Sequence, residues 1–135
     1  MTVRIVRLGT PRAPDEGTRV GTVRRPPRGV PKSEFSSGNW YDVWFPNLSP
    51  SPELVKRALA SQSDLSAAGE KEWAAFTRGY RAEMALPENA HAIALLAALS
   101  QQANFSVGCY CESEARCHRG ILRALLRDAG ARVAE

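Results

Sequence analysis

The sequence predicts a single α/β domain, a small sandwich with a mostly parallel sheet flanked by helices. Three observations lead there. Short β-branched stretches near the two ends of the chain alternate with longer helical stretches, the pattern of folds built on parallel strands. The length of 135 residues is that of one domain, residues 1–135. At that size about two thirds of the unfolded surface can be buried without disulfides or metal staples. Hydrophobic residues make up 44% and charged residues 24%, as in an ordinary globular chain and unlike a disordered one.

The elements follow in order. Val3, Ile5 and Leu8 mark a first strand, closed by the Pro- and charge-rich turn from Pro11 to Gly17. Thr18 to Val23 is a second strand, rich in β-branched residues, in which Gly21 marks close backbone contact. The following RRPPRGVPK cannot be a helix or a central strand, because proline removes donors and fixes φ, and it reads as an ordered loop leaving a strand end. Trp40 to Pro50 reads as an irregular packed segment. Ser51-Pro52-Glu53 has the chemistry of a helix start, and that helix should reach Ala60. A second helix spans Ala67 to Leu86, with Trp73, Phe76, Tyr80 and Met84 on one apolar stripe. A third runs from Glu88 to Gln102. Phe105 to Cys111 is the third strand, Cys117 to Ala129 the last helix with Gly130 as its cap, and Val133 opens a short terminal strand.

The net charge is +4, and its distribution is uneven. Residues 1–35 hold eight basic against three acidic residues, and the remainder ten against eleven. An anionic partner should therefore meet the N-terminal third. The opening MTVRIVRLG lacks the apolar core of a signal peptide, and the longest apolar run, Ala92 to Leu99, is too short to span a membrane. With an odd number of cysteines, three, the expected location is the reducing cytoplasm, with no membrane partner.

All three cysteines fall at one strand–helix junction, CYCESEARCHR, where α/β folds place ligands. Cys109, Cys111, Cys117 and His118 are the ligand types zinc uses. The spacing speaks against a metal: i and i+2 of an extended strand lie about 6–7 Å apart, farther than thiolates on a tetrahedral ion at about 2.3 Å each. Consecutive Cys117 and His118 should also diverge by about 100° at a helix start. The expectation is accordingly no metal, with those four residues as the alternative set, and Cys109 as a packed structural thiol. Cys117 is the candidate nucleophile or redox thiol, because a helix N-terminus and the neighbouring Arg116, His118 and Arg119 favour thiolate. Cys111 to Arg116 also has the C-x4-R spacing of anion-cradling loops, but the loop has no glycine and carries Glu112 and Glu114, so that match is rejected.

Two basic groups stand out. Arg24, Arg25 and Arg28 crowd one loop next to Gly29, where planar guanidinium forks suit phosphate or carboxylate. Arg116, Arg119, Arg123 and Arg127 form a stripe on the last helix, opposite the face of Ile121, Leu122, Leu125 and Leu126, and read most simply as a solvated face.

Four motifs in order, GTRVGTVRRPPRGVPK, WFPNLSPS from Trp44, W-x2-F-x3-Y-x2-E-M from Trp73 and C-x7-C-H-R from Cys109, resemble the YeaO-like family, domain of unknown function 488 (DUF488). The resemblance covers nearly the whole chain. It implies an α/β cytoplasmic domain whose signature takes in Arg24, Arg28, Gly29, Trp44, Pro50, Ser51, Trp73, Tyr80, Cys117, His118 and Arg119. Val23 and Pro26 stand where the family usually has aspartate and tryptophan, and Cys111 where it often has glutamate. If that acid pair takes part in the family's chemistry, Glu112 is the nearest substitute here.

Together these features suggest one polar pocket at the C-terminal edge of the sheet, binding a small anionic ligand. Arg24, Arg28 and Arg119 would supply charge, Cys109 and Cys111 would line it, and Cys117 or His118 would be its reactive group. The alternatives are a nucleic-acid binding module using the basic N-terminal third and the last helix, and a metal or redox thiol module. The pattern names no cofactor and no reaction, and it leaves open whether the protein is an enzyme.

Overall fold

The computed structural model describes residues 1–134. Four strands, β1 (Val3–Arg7), β2 (Thr18–Gly21), β3 (Val43–Trp44) and β4 (Phe105–Cys109), form one sheet in the order β1-β4-β2-β3. Every pairing is parallel. The helices are α1 (Pro52–Gln62), α2 (Ala67–Met84), α3 (Pro87–Leu99) and α4 (His118–Asp128). The expected α/β class and parallel sheet are therefore present. No described helix is long and apolar enough to cross a membrane.

Register explains how the layers divide. Val3 pairs with Phe105, and Val20 with Val107, so these side chains share a face. They join Phe76, Tyr80, Met84, Ile93, Ile121, Leu122 and Leu126 in one core to which all four helices contribute. The aromatic stripe of α2 is the centre of it. Trp73 stacks on Phe76 at 5.0 Å and Phe76 on Tyr80 at 5.9 Å, and the Tyr80 hydroxyl donates to the Leu48 carbonyl at 2.7 Å.

The opposite face is covered by loops rather than helices. Beneath them lies a buried ion pair. Arg19 donates from Nε and Nη2 to the two carboxylate oxygens of Glu16 at 2.7 and 3.0 Å, and from Nη1 to the carbonyls of Thr10 and Asn39 at 2.9 and 2.7 Å. Ser106 Oγ and the Ala13 N–H donate to the same carboxylate. Burial raises the Glu16 pKa, but the bonds from Arg19 and Ser106 and the charge of Arg19 outweigh it, and the carboxyl stays below its usual range.

The sequence expectations fail at particular places. The aromatic segment expected to be irregular contains the edge strand β3, whose two residues are exposed. Ser51 stands at the N-cap of α1 without a side-chain capping bond; its own N–H donates to Glu83 Oε1 at 3.0 Å. The third strand ends at Cys109 rather than Cys111, because the chain turns at Tyr110. Val133 makes a single parallel bridge to Val3. Gly130 follows α4 at φ 97°, a backbone state that only glycine adopts freely.

Candidate functional site

Two adjacent hollows lie at the carboxyl ends of β1, β4 and β2, where open parallel sheets place ligands. They share Arg25 and Tyr110. One, about 440 Å³, is lined by the three cysteines and His118 together with Arg24, Lys56 and Gln62. The other, about 800 Å³, is lined by Arg7, Arg25, Arg28, Trp40, Tyr110 and the Leu8–Thr10 turn. The single pocket expected from sequence is thus split. Arg24 stands with the thiols, and Arg28 lies beyond Tyr110 in the second hollow.

The thiol hollow is held from several sides. Cys109 ends β4, Cys111 follows the turn at Tyr110, and Cys117 is the N-cap residue of α4. The Sγ atoms of Cys109 and Cys111 are 3.7 Å apart, not the 6–7 Å of an extended strand, since the strand stops between them. The Cys117 Sγ lies 3.9 Å from His118 Nδ1. These two side chains converge because Cys117 is still extended, at φ −125° and ψ 147°, while His118 is the first helical residue. The ligand atoms of Cys109, Cys117 and His118 all lie within 4.8 Å of one another, and all three residues are buried.

The protons are distributed unequally. Cys111 is pulled well below an ordinary thiol, first by bonds from Cys109 and Cys117, with Gln62 Nε2 donating to its sulfur at 3.5 Å. Cys109 and Cys117 are pushed up, chiefly because their protons serve those bonds. Cys117, the candidate reactive thiol of the sequence, is 1% exposed, and of the three thiols only Cys111 is drawn toward the thiolate form. Burial pushes His118 down to about 4, so the imidazole is neutral at physiological pH.

The arginines divide by task. Arg119 is buried and donates to the Cys111 carbonyl at 2.5 Å, so it shapes the 109–111 turn from behind. Arg116 binds the Ser61 and Asp64 carbonyls at the end of α1, and Arg123 forms a two-point ion pair with Glu114, 2.6 and 2.9 Å. The stripe expected to be solvated is largely built into the fold. Arg24 reaches the Ser49 and Pro50 carbonyls, with Nη2 to Pro50 at 3.0 Å.

The larger hollow was only partly legible. Arg25 and Arg28 were visible as a loop cluster; Arg7 and Trp40 come from other segments. Arg7 closes β1 and donates to the Tyr110 carbonyl at 3.4 Å. Tyr110 donates its hydroxyl to the Arg25 carbonyl at 2.8 Å and meets Trp40 edge-on with centroids 6.0 Å apart. Gly9 has φ 87°, and a Cβ there would sit 2.8 Å from the Trp40 ring. Glycine is what lets the indole lie against the turn.

A parallel α/β domain with a thiol–imidazole cluster and an arginine-lined hollow at one sheet edge is the class that fold and site define. The chain matches the model of DUF488-N3a, described as the active DUF488-N3 subclade, over residues 3–130, and so belongs to the DUF488 family. No curated protein and no solved structure matches it.

Proposed function

We propose that the protein binds a small anion bearing phosphate or carboxylate groups in the hollow lined by Arg7, Arg25 and Arg28. One observation carries this reading: three arginines line one hollow and no carboxylate lines it. Arg25 and Arg28 make no side-chain ion pair among the described residues. Guanidinium forks answer to planar or tetrahedral oxyanions. Trp40 and Tyr110 add an aromatic wall that suits an apolar or ring-bearing portion of the same ligand. The matching subclade is described as active, which fits a member that retains a working site.

A nucleic-acid module is less well supported. It needs the arginines of the last helix free for phosphates, yet Arg116, Arg119 and Arg123 have partners within the fold.

Calorimetric titration with inorganic pyrophosphate and with citrate tests the reading. One site on the wild type for at least one probe is expected. Replacing Arg25 and Arg28 with Ala should weaken it at least tenfold while leaving the unfolding midpoint unchanged, as both residues are exposed. Equal affinity in the double variant, or no binding by the wild type, would refute it.

A further inference from the structure

We propose that Cys109, Cys111, Cys117 and His118 form a binding site for one thiophilic divalent cation, zinc by its chemistry. This site is separate from the arginine hollow and stands whether or not an anion binds there.

The first support is distance. Thiolates at about 2.3 Å from a tetrahedral ion are about 3.8 Å from one another. Cys109 and Cys111 are already 3.7 Å apart, and Cys117 Sγ is 3.9 Å from His118 Nδ1. Those two pairs stand near the spacing a tetrahedral ion imposes, and the ligand atoms of Cys109, Cys117 and His118 all lie within 4.8 Å of one another.

The second support is the histidine tautomer. His118 Nε2 lies 2.8 Å from the Thr22 carbonyl, an acceptor that has no proton to give. Thr22 Oγ1, 3.2 Å from the same nitrogen, donates its own proton to the Gly108 carbonyl at 2.9 Å. Both neighbours therefore require Nε2 to carry the hydrogen. That leaves a bare lone pair on Nδ1, the atom facing Cys117. Fixing one ring nitrogen through a carbonyl so that the other can coordinate is how proteins orient metal-binding imidazoles.

The third support is charge. Three thiolates and one neutral imidazole around a divalent ion carry a net charge of −1. Arg119 is 4% exposed and forms no ion pair with a carboxylate among the described residues; its bonds go to the carbonyls of Cys109 and Cys111. A buried cation from α4 bonded to the turn that carries two of the sulfurs is the counter-charge such a centre requires. The set contains no carboxylate, which excludes calcium and magnesium. Cys109, Cys117 and His118 supply a close trio of two sulfurs and one nitrogen, and Cys111, in contact with Cys109, would bring the fourth ligand; a donor set of three sulfurs and one nitrogen selects zinc among the borderline ions.

The test uses the reduced, metal-stripped wild-type chain and Co²⁺ as a spectroscopic probe. One equivalent should produce thiolate-to-cobalt charge transfer and the strong visible bands of a tetrahedral centre. One equivalent of Zn²⁺ should then abolish them, because zinc is preferred over cobalt. H118N and C117S should each bind at least tenfold more weakly. Both residues are buried and their replacement risks unfolding, so a second readout needs no variant. One equivalent of Zn²⁺ should protect all three thiols of the folded wild type from alkylation, counted by intact mass. Absence of the cobalt spectrum together with unprotected thiols would overturn the proposal, as would a spectrum that survives both substitutions.

Discussion

Arg19→Met should destabilise the protein severely, because it strands a carboxylate in the interior. Arg19 is fully buried and Glu16 is 3% exposed. The substitution removes both bonds from the guanidinium to Glu16 and leaves the Thr10 and Asn39 carbonyls without that donor. Removing one partner of a buried pair costs about 3–5 kcal/mol. Against a total stability of about 5–15 kcal/mol for a domain, that is a large share. With a urea slope of about 2 kcal/mol per molar, the midpoint should fall by about 2 M. The loss should also depend on pH in a defined direction. In the wild type the folded Glu16 pKa is depressed, so its stabilisation is complete above the unfolded value and fades as pH falls through the folded one. In Arg19→Met the same carboxyl is desolvated with less support and its folded pKa rises, so the variant's deficit should shrink on acidification. Adding Glu16→Gln should recover part of the loss at neutral pH. Urea unfolding across a pH series measures all three. A deficit under 1 kcal/mol at pH 7, or one that grows on acidification, would refute the assignment of this pair as a desolvated ion pair. Thr10, which lines the arginine hollow, receives one of the lost bonds, so the same variant should also weaken anion binding.

Other outcomes follow from single contacts. Tyr41→Phe should be neutral or stabilising by about 1 kcal/mol in thermal unfolding, since the Tyr41 hydroxyl is buried without a hydrogen-bond partner. Asp42 is held at about 2, burial raising it but bonds from Arg12, Arg19 and Ser36 prevailing. Its contribution is complete above the ordinary aspartate value of 3.8 and fades toward about 2, so the stability gap of Asp42→Asn should close as pH falls through that interval. Brief alkylation of the metal-free protein near neutral pH should label Cys111 first and spare Cys117, since Cys111 is half-buried and drawn toward thiolate while Cys117 is buried, as peptide mapping would show; preferential labelling of Cys117 would contradict this ordering. Gly9→Ala should cost about 1 kcal/mol or more in stability from its positive φ and shift the Trp40 indole, a loss readable in both melting temperature and the aromatic spectrum.

Much of the fold was legible because it rests on periodicity. The stripe of Phe76, Tyr80 and Met84 and the β-branched β2 announce a buried helix face and a buried strand in the sequence itself. β3 was hidden because its two residues are an edge pair held by backbone bonds from the loop, such as the Phe45 N–H to the Gly21 carbonyl at 2.9 Å, and edges need no apolar alternation. The Glu16–Arg19 pair was equally hidden, since a charged pair three residues apart looks like surface until loops close over it. The site was legible as a set of residues and not as a geometry. Clustering of Cys109, Cys111, Cys117 and His118 was plain, but their separation depended on where β4 stops, and one turn at Tyr110 changes the distance by several ångströms. The arginine loop was visible, whereas Arg7 and Trp40 are joined to it only through parallel strands that bring distant segments to one edge.

The most direct measurement is a nitrogen-resolved NMR titration of pyrophosphate followed at the tryptophan indole N–H groups. Trp40 lines the arginine hollow, while Trp44 donates its indole to the Val23 carbonyl at 2.7 Å and Trp73 stacks in the core. Trp40 should shift saturably and the Trp73 signal should stay in place, with the shift lost when Arg25 and Arg28 are replaced together. A saturable shift confined to the other two indoles, or one that persists without those arginines, would place the anion elsewhere and contradict the account.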